Sequence, residues 1–257
     1  MMYIGLAVLG FIASIYGTII GAGGGFIIVP FLLMLTDLSP ATAAATGLAL
    51  VFFNASTSIF AFIKQKRILL YTGLIISLGA IPGTFIGSWL VVRSPEHVFK
   101  IVFAVTLIGL GAFLLWKNFR KADKSSDAQK TEHDIHEMSW GYGIKIGLVG
   151  ILLGTISSFF GIGGGWLLVP ILVYGFGVSV HYATATSIFS LAIYSGIGLI
   201  QPIIHGRVDW AVAAFCGIGV LIGGQAGALV SSKISGGTIT KLLAFIVIII
   251  GIKLMFT

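Results

Sequence analysis

Two ten-residue runs hold the residues best placed to do chemistry in this 257-residue sequence. Gly21-Ala22-Gly23-Gly24-Gly25-Phe26-Ile27-Ile28-Val29-Pro30 returns 140 positions later as Gly161-Ile162-Gly163-Gly164-Gly165-Trp166-Leu167-Leu168-Val169-Pro170. Each run has four glycines in five positions within an apolar stretch, and each glycine costs a helix about 1 kcal/mol relative to alanine. Both stretches are therefore expected to break as helices at equivalent points. A helix restarting near Phe26 or Trp166 begins with N–H groups that lack an intrahelical acceptor and with the positive end of its dipole. Such a terminus attracts anions, and glycine lets a ligand approach the backbone. Two of them face to face would bind an anion with no buried lysine or arginine. Gly21, Gly23, Gly24, Gly25, Gly161, Gly163, Gly164 and Gly165 are accordingly the first candidates for substrate binding. The competing reading, glycine as a means of close helix packing, suits Gly79, Gly83 and Gly87 and their counterparts Gly219, Gly223 and Gly227, spaced by four.

Neutral polar residues inside the apolar segments extend the candidate set. Thr46 and Thr186 occupy equivalent positions sixteen residues after their prolines and could add hydroxyl donors. Their alternative is a back-bond to their own helix. Asn54 and Ser187 join them as substrate-binding candidates, and Thr184, Tyr194, Gln201 and Gln225 could also fall inside. Acids are absent from mid-segment: outside residues 118 to 139 there are Asp37, Glu96 and Asp209, all at segment ends. A carboxylate proton relay of the kind many carriers use is not expected. His181 and His205 lie near segment ends and read as interfacial. The spacing of His133-Asp134-Ile135-His136-Glu137 resembles a metal motif but sits in a polar stretch and reads as a solvated face. No cofactor or metal site is expected, nor an intramembrane hydrolase, since no GxSxG arrangement is present and no carboxylate could orient a histidine.

The elements that must position these residues follow from composition. Hydrophobic residues make up 57% of the chain and charged ones 9%, against about 25% charged in soluble domains, so the fold class is an all-α polytopic membrane protein. The single cysteine, Cys216, excludes an intramolecular disulfide and CxxC chemistry and reads as a small buried hydrophobe. The net charge of +7 is dispersed between apolar segments, which fits topology anchors rather than nucleic-acid binding. Nothing before Lys64 is basic, so the first apolar segment reads as a retained part of the protein rather than a cleaved leader.

Two tandem repeats are expected, residues 1–117 and 140–257, joined by a polar cytoplasmic linker over 118–139. Each has a first apolar segment (3 to 20, 142 to 160), the glycine block, a short segment (26 to 36, 166 to 176) and three long ones. These run 42 to 63, 68 to 92 and 98 to 117, then 180 to 204, 208 to 231 and 238 to 256. If each short segment returns the chain to the side it came from, the repeats are inverted. Lys64, Lys66, Arg67, Lys117, Arg120, Lys121, Lys124, Lys130, Lys145, Lys233 and Lys241 then share the cytoplasm against Arg93, Lys100, Arg207 and Lys253 outside. If the glycines merely interrupt one crossing, the repeats are parallel, and the partition is again eleven to four. The inverted arrangement, with a broken or re-entrant hairpin at each GxGGG block, is favoured because 34 residues from 3 to 36 are too many for one crossing. Arg67 and Arg207 match in the repeat, with anchoring preferred to substrate steering.

Paired GxGGG-hydrophobic-Val-Pro blocks, each opening one half of a polytopic chain and each followed by an Ala/Thr-rich segment, resemble the sulfite exporter TauE/SafE family. The resemblance covers the whole chain. It implies a carrier of sulfur-containing anions such as sulfite, sulfonates or related organosulfur compounds in a prokaryotic cytoplasmic membrane. The expected partners are a small anionic substrate and the lipid bilayer, with no nucleic acid, and both a monomer and a homo-oligomer stay open. An anion or small-solute channel and a non-transporting accessory subunit are the alternatives. Export is the expected direction, because a negative-inside potential favours anion exit by about 2.3 kcal/mol per charge per 100 mV.

Overall fold

The computed structural model describes residues 2–121 and 140–255, and no strand occurs among them. The helices are α1 (Met2–Ile19), α2 (Gly25–Leu35), α3 (Pro40–Lys64), α4 (Leu70–Arg93), α5 (Glu96–Lys121), α6 (Trp140–Phe160), α7 (Gly165–Pro170), α8 (Val180–Gly198), α9 (Ile200–Ile204), α10 (Trp210–Ser231) and α11 (Gly236–Met255). Of the linker expected over 118–139, residues 118–121 continue α5. The remainder, with His133 and His136, lies outside the described residues.

Among the described residues seven helical stretches are long and apolar enough to cross a membrane: α3, α4, α5, α6, α8 continued by α9, α10 and α11. The stretch Gly25–Leu35 is too short. Its 11 residues rise only about 16 Å, half of a hydrocarbon core of about 30 Å. Local chemistry sets several ends. Ser39 caps α3 by accepting the Thr42 N–H at 3.3 Å, with Pro40 in the first turn. Asp209 caps α10 by accepting the Val212 N–H at 3.0 Å, which gives this acid a structural use. Past Pro170 the helix loosens into a π-turn over Ile171–Gly175, whereas α2 stays α-helical through the equivalent Pro30. The structure gives no physical reason for that difference.

The surface is inverted relative to a soluble protein. Leu74, Leu78 and Trp89 of α4 and Ile218, Ile222 and Leu229 of α10 face outward, while Ser14, Thr18, Thr46, Asn54, Thr84 and Ser190 have no exposure at all. With lipid outside, apolar burial drives little of the packing, and close backbone approach takes over. The glycine stripes do this. A Cβ at Gly79, Gly83 or Gly87 of α4 would overlap the carbonyl oxygens of Gly147, Ile151 and Thr155 of α6. A Cβ at Gly219, Gly223 or Gly227 of α10 would meet those of Ala7, Phe11 and Ile15 of α1. Each first helix thus packs in parallel against a long helix from the opposite half of the chain. By contrast α5 and α11 run in opposite directions: Gly111 meets Ala244 and Ile248, and Gly251 meets Ala104 and Ile108. Aromatic contact joins α5 to α6, where the rings of Phe103 and Phe160 stack with centroids 4.5 Å apart.

Candidate functional site

Both glycine blocks are breaks, as the sequence predicts. Gly21, Gly23 and Gly24 have φ of +77°, +78° and +78°, and Gly161 and Gly163 have +69° and +67°, a region side chains other than glycine's rarely enter. Gly164 departs from its counterpart Gly24, with φ −63°. The first turn is tied back to α1 by the N–H groups of Ala22 and Gly23, which donate to the Gly17 carbonyl at 2.6 and 3.1 Å. In the second, the Gly161 N–H donates to the Ser157 carbonyl at 2.8 Å. Ile27 and Ile28 then donate to Gly24, and Leu167 and Leu168 to Gly164, which starts the half-helices. The earlier N–H groups, on Gly25 and Phe26 and on Gly165 and Trp166, have no intrahelical acceptor, and neither helix has a side-chain cap.

The two turns meet at the centre of the molecule. A Cβ on Gly165 would overlap the Gly21 carbonyl oxygen, and one on Gly25 would lie 2.8 Å from the Ile162 Cα and 3.0 Å from the Gly161 carbonyl. Val51 and Leu191, themselves 140 residues apart, pack against both Gly23 and Gly163. All eight glycines are buried, so in this conformation the turns are shut from solvent.

Residues 6–254 match the family described as Sulfite exporter TauE/SafE. The chain belongs to that family. It is similar to the probable membrane transporter protein YunE of Bacillus subtilis, 31% identical over all of this chain and 98% of that protein. It is similar also to the probable membrane transporter protein MJ0441 of Methanocaldococcus jannaschii, 28% identical over 97% of this chain and 94% of the relative. A third relative is the probable membrane transporter protein YfcA of Escherichia coli K12, at 28% over 89% and 81%. No solved structure matches the chain. The TauE/SafE chain is thus a multi-pass membrane protein of a transporter family, not an enzyme.

The remaining candidates of this TauE/SafE chain divide into those that touch the turns and those that hold the frame. Ser187 touches: its Oγ donates to the Gly21 carbonyl at 2.7 Å. Thr46 and Thr186 hold the frame as a matched pair. Thr46 Oγ1 accepts the Asp209 N–H at 3.0 Å and Thr186 Oγ1 accepts the Leu69 N–H at 3.0 Å, so each ties down the start of a helix from the opposite half. Asn54 Oδ1 accepts from Ser14 at 2.6 Å, Thr18 at 2.9 Å and Ser58 at 3.2 Å, while its Nδ2 has no partner. Gln225 lies on the exposed side of α10 rather than inside, because its neighbour Gly224 is the residue turned toward Asn54. His181 reaches the Ile234 carbonyl at 2.9 Å and His205 that of Gln201 at 2.8 Å. Arg207 lines a narrow crevice with Ser88, Ser158 and Pro202.

Of the buried donors around the two turns, sequence reasoning named Thr184 and Tyr194 as residues that could fall inside but missed Ser157, Ser158 and the Trp166 indole. Ser157 Oγ, Ser158 Oγ, Trp166 Nε1 and Thr184 Oγ1 are buried without a hydrogen-bond partner, as is the hydroxyl of Tyr194. One signal was available: Tyr194 stands 140 residues after Asn54.

Replacing Thr186 by valine strands a buried backbone N–H and replacing Thr46 a part-buried one, so both changes should lower stability, by about 1–3 kcal/mol at Thr186 and toward the lower end of that range at Thr46. Thermal unfolding in detergent reads it. A loss at one position only would contradict the matched roles.

Proposed function

We propose that this chain is a secondary transporter of small sulfur-containing anions, sulfite, a sulfonate or a related organosulfur anion, and that it exports them across a prokaryotic cytoplasmic membrane. The anion binds near the midplane, between the two glycine turns, with Asn54 and Ser187 beside it. One observation carries this reading: two uncapped helix starts meet at the buried centre among neutral donors that lack partners, with no lysine or arginine beside them. Such a site discriminates by hydrogen bonding and favours compact oxyanions, whose several oxygens divide between two helix termini. Sulfur chemistry is inferred from the family's printed description.

On this reading residues 1–117 and 140–257 are inverted repeats and 118–139 is a cytoplasmic linker. The opposed directions of α5 and α11 support it, as do the crossed contacts of α3 and α8, where Thr46 lies by Asp209 and Thr186 by Leu69. The turns part alternately toward each side, and the membrane potential drives the anion outward without a coupling ion.

Purified protein in liposomes should carry sulfite with saturable kinetics and counterflow, and should leave potassium untouched. Flux that rises linearly with concentration would make it a channel instead. Single-cysteine labelling in a Cys216→Ala background should reach the Lys66 loop and Lys233 from the cytoplasm and Arg207 from outside. Labelling of Arg207 and Lys66 positions from the same side would sink the inverted arrangement.

A further inference from the structure

The two turns are alike in backbone, but the polar groups behind them are not. By the 140-residue offset Tyr194 stands for Asn54, Ser157 for Gly17 and Ser158 for Thr18. Behind the first turn the hydroxyls are consumed. Thr18 and Ser58 bond to Asn54 Oδ1, and Ser14 reaches both that oxygen and the Val220 carbonyl at 2.8 Å. Behind the second turn no carboxamide gathers them: Tyr194 and Ser157 have only each other and the Gly164 backbone close by. Ser157 and Tyr194 have no exposure and Ser158 has 4%, yet none of the three hydroxyls makes a hydrogen bond of regular geometry. The Tyr194 hydroxyl lies beside Ser157 and the Gly164 backbone, 3.1 Å from where a Cβ on Gly164 would stand. Ser158, the next residue on α6, faces Gly198 one turn further along α8 and lines the crevice that holds Arg207. Buried hydroxyls without partners of regular geometry are costly unless something fills their hydrogen bonds.

We propose that Ser157, Ser158 and Tyr194 form an oxyanion subsite on the second turn, on the side of the Arg207 crevice. This rests on the transport reading above and makes it asymmetric: the second half offers hydroxyls to the substrate, while in the first half the hydroxyls are taken up by Asn54 Oδ1 and only the Asn54 amide Nδ2 is left to face it. Each hydroxyl donates one hydrogen, so the ligand is an anion with at least two oxygens to share. Arg207, which lines that crevice, adds a formal positive charge on the side by which an exported anion leaves and is not part of the bound complex.

The test is a binding titration of the purified full-length protein with sodium sulfite, sodium sulfate and sodium methanesulfonate, against sodium chloride at equal ionic strength. Tyr194→Phe and Ser157→Ala should each raise Kd for the bound oxyanion about tenfold, the weight of one hydrogen bond to a charged ligand. The pair together should raise it about a hundredfold if the two act independently. Ser77→Ala, which removes a buried hydroxyl bonded at 2.7 Å to the Gly73 carbonyl and outside the proposed subsite, should lower the melting temperature and leave Kd alone. Ser157→Ala removes a single atom and reports on the subsite even if Tyr194→Phe folds poorly. Unchanged Kd in Ser157→Ala, with wild-type protein binding normally, overturns the subsite and leaves those hydroxyls to water. A wild-type protein that binds none of the three oxyanions overturns the anion-transport reading and the subsite together.

Discussion

Gly161→Ala should abolish transport and leave little folded protein, while Gly164→Ala, three residues along the same turn, should fold. Gly161 sits at φ +69°, which an L-residue adopts at a cost of about 1–2 kcal/mol. Its Cβ would also overlap the carbonyl oxygen, carbonyl carbon and Cα of Ala44. All three belong to the α3 backbone, so no side chain can rotate away and the turn must separate from the helix. Overpacking against a rigid neighbour adds about 1–3 kcal/mol, a large part of what a membrane fold has to lose. Gly164 is different. Its φ is −63°, and the nearest atoms to its Cβ are the Leu153 carbonyl at 3.0 Å and the Tyr194 hydroxyl at 3.1 Å, which need give only a few tenths of an ångström. Gly21→Ala should fall between the two, since its φ of +77° carries the same backbone cost as Gly161 while its nearest neighbour, Val169 Cγ2 at 2.8 Å, is a side chain that can move. A longer side chain at Gly164 separates function from folding: Gly164→Leu should be present in the membrane and carry no sulfite. Size-exclusion profiles and flux measured on the same preparations give the order. A Gly161→Ala protein that melts and transports like wild type would show that the turns are not packed as described.

Gly83→Ile should be the most damaging change away from the turns. The residue lies where α4 and α6 touch, and its side chain would overlap the Ile151 carbonyl oxygen and approach the Thr155 nitrogen at 2.8 Å. Pushing the helices apart by the width of a side chain forfeits dispersion contacts along the whole stripe from Gly79 to Gly87, in a solvent that returns nothing for exposing them. A loss of about 3 kcal/mol or more is expected, read as a lower melting temperature and aggregation in detergent. Gly109→Ala is the matched control. No atom lies within 4 Å of a Cβ at that position on α5, so alanine there should be neutral or stabilise by up to about 1 kcal/mol through helix propensity. Equal melting temperatures for the two variants would refute the packing assigned to the stripe.

Sequence alone conveyed the helical class, the breaks and the stripes, because glycine spacing and long apolar runs are local signals that survive without tertiary context. It marked Thr46 and Thr186 as a pair but could not find their partners. The N–H groups they accept belong to Asp209 and Leu69, in loops 163 and 117 residues away. Ser157 and Ser158 carried no signal, since a serine on an apolar helix face reads as a small packing residue until the fold shows that its hydroxyl has nothing to bond. Gln225 failed for the opposite reason: in a glycine-rich helix the buried face is set by Gly223, Gly224 and Gly227, so the polar residue faces out. The π-turn after Pro170 was also invisible, as the same Val-Pro pair in the first half ends in a plain helix.

The crossed packing of α1 on α10 has a bearing on how the chain is made. Ala7 rests against Gly219, which is synthesised more than two hundred residues after it. At about 5–20 residues per second the first helix waits roughly 10 to 40 seconds with its contact face against lipid or the insertion machinery. The first half therefore has no finished state of its own during synthesis. The face of α1 that rests on α10 is covered only after α10 is made, and a ribosome that stalls before it leaves a product whose α1 is held mainly by α2 and α3.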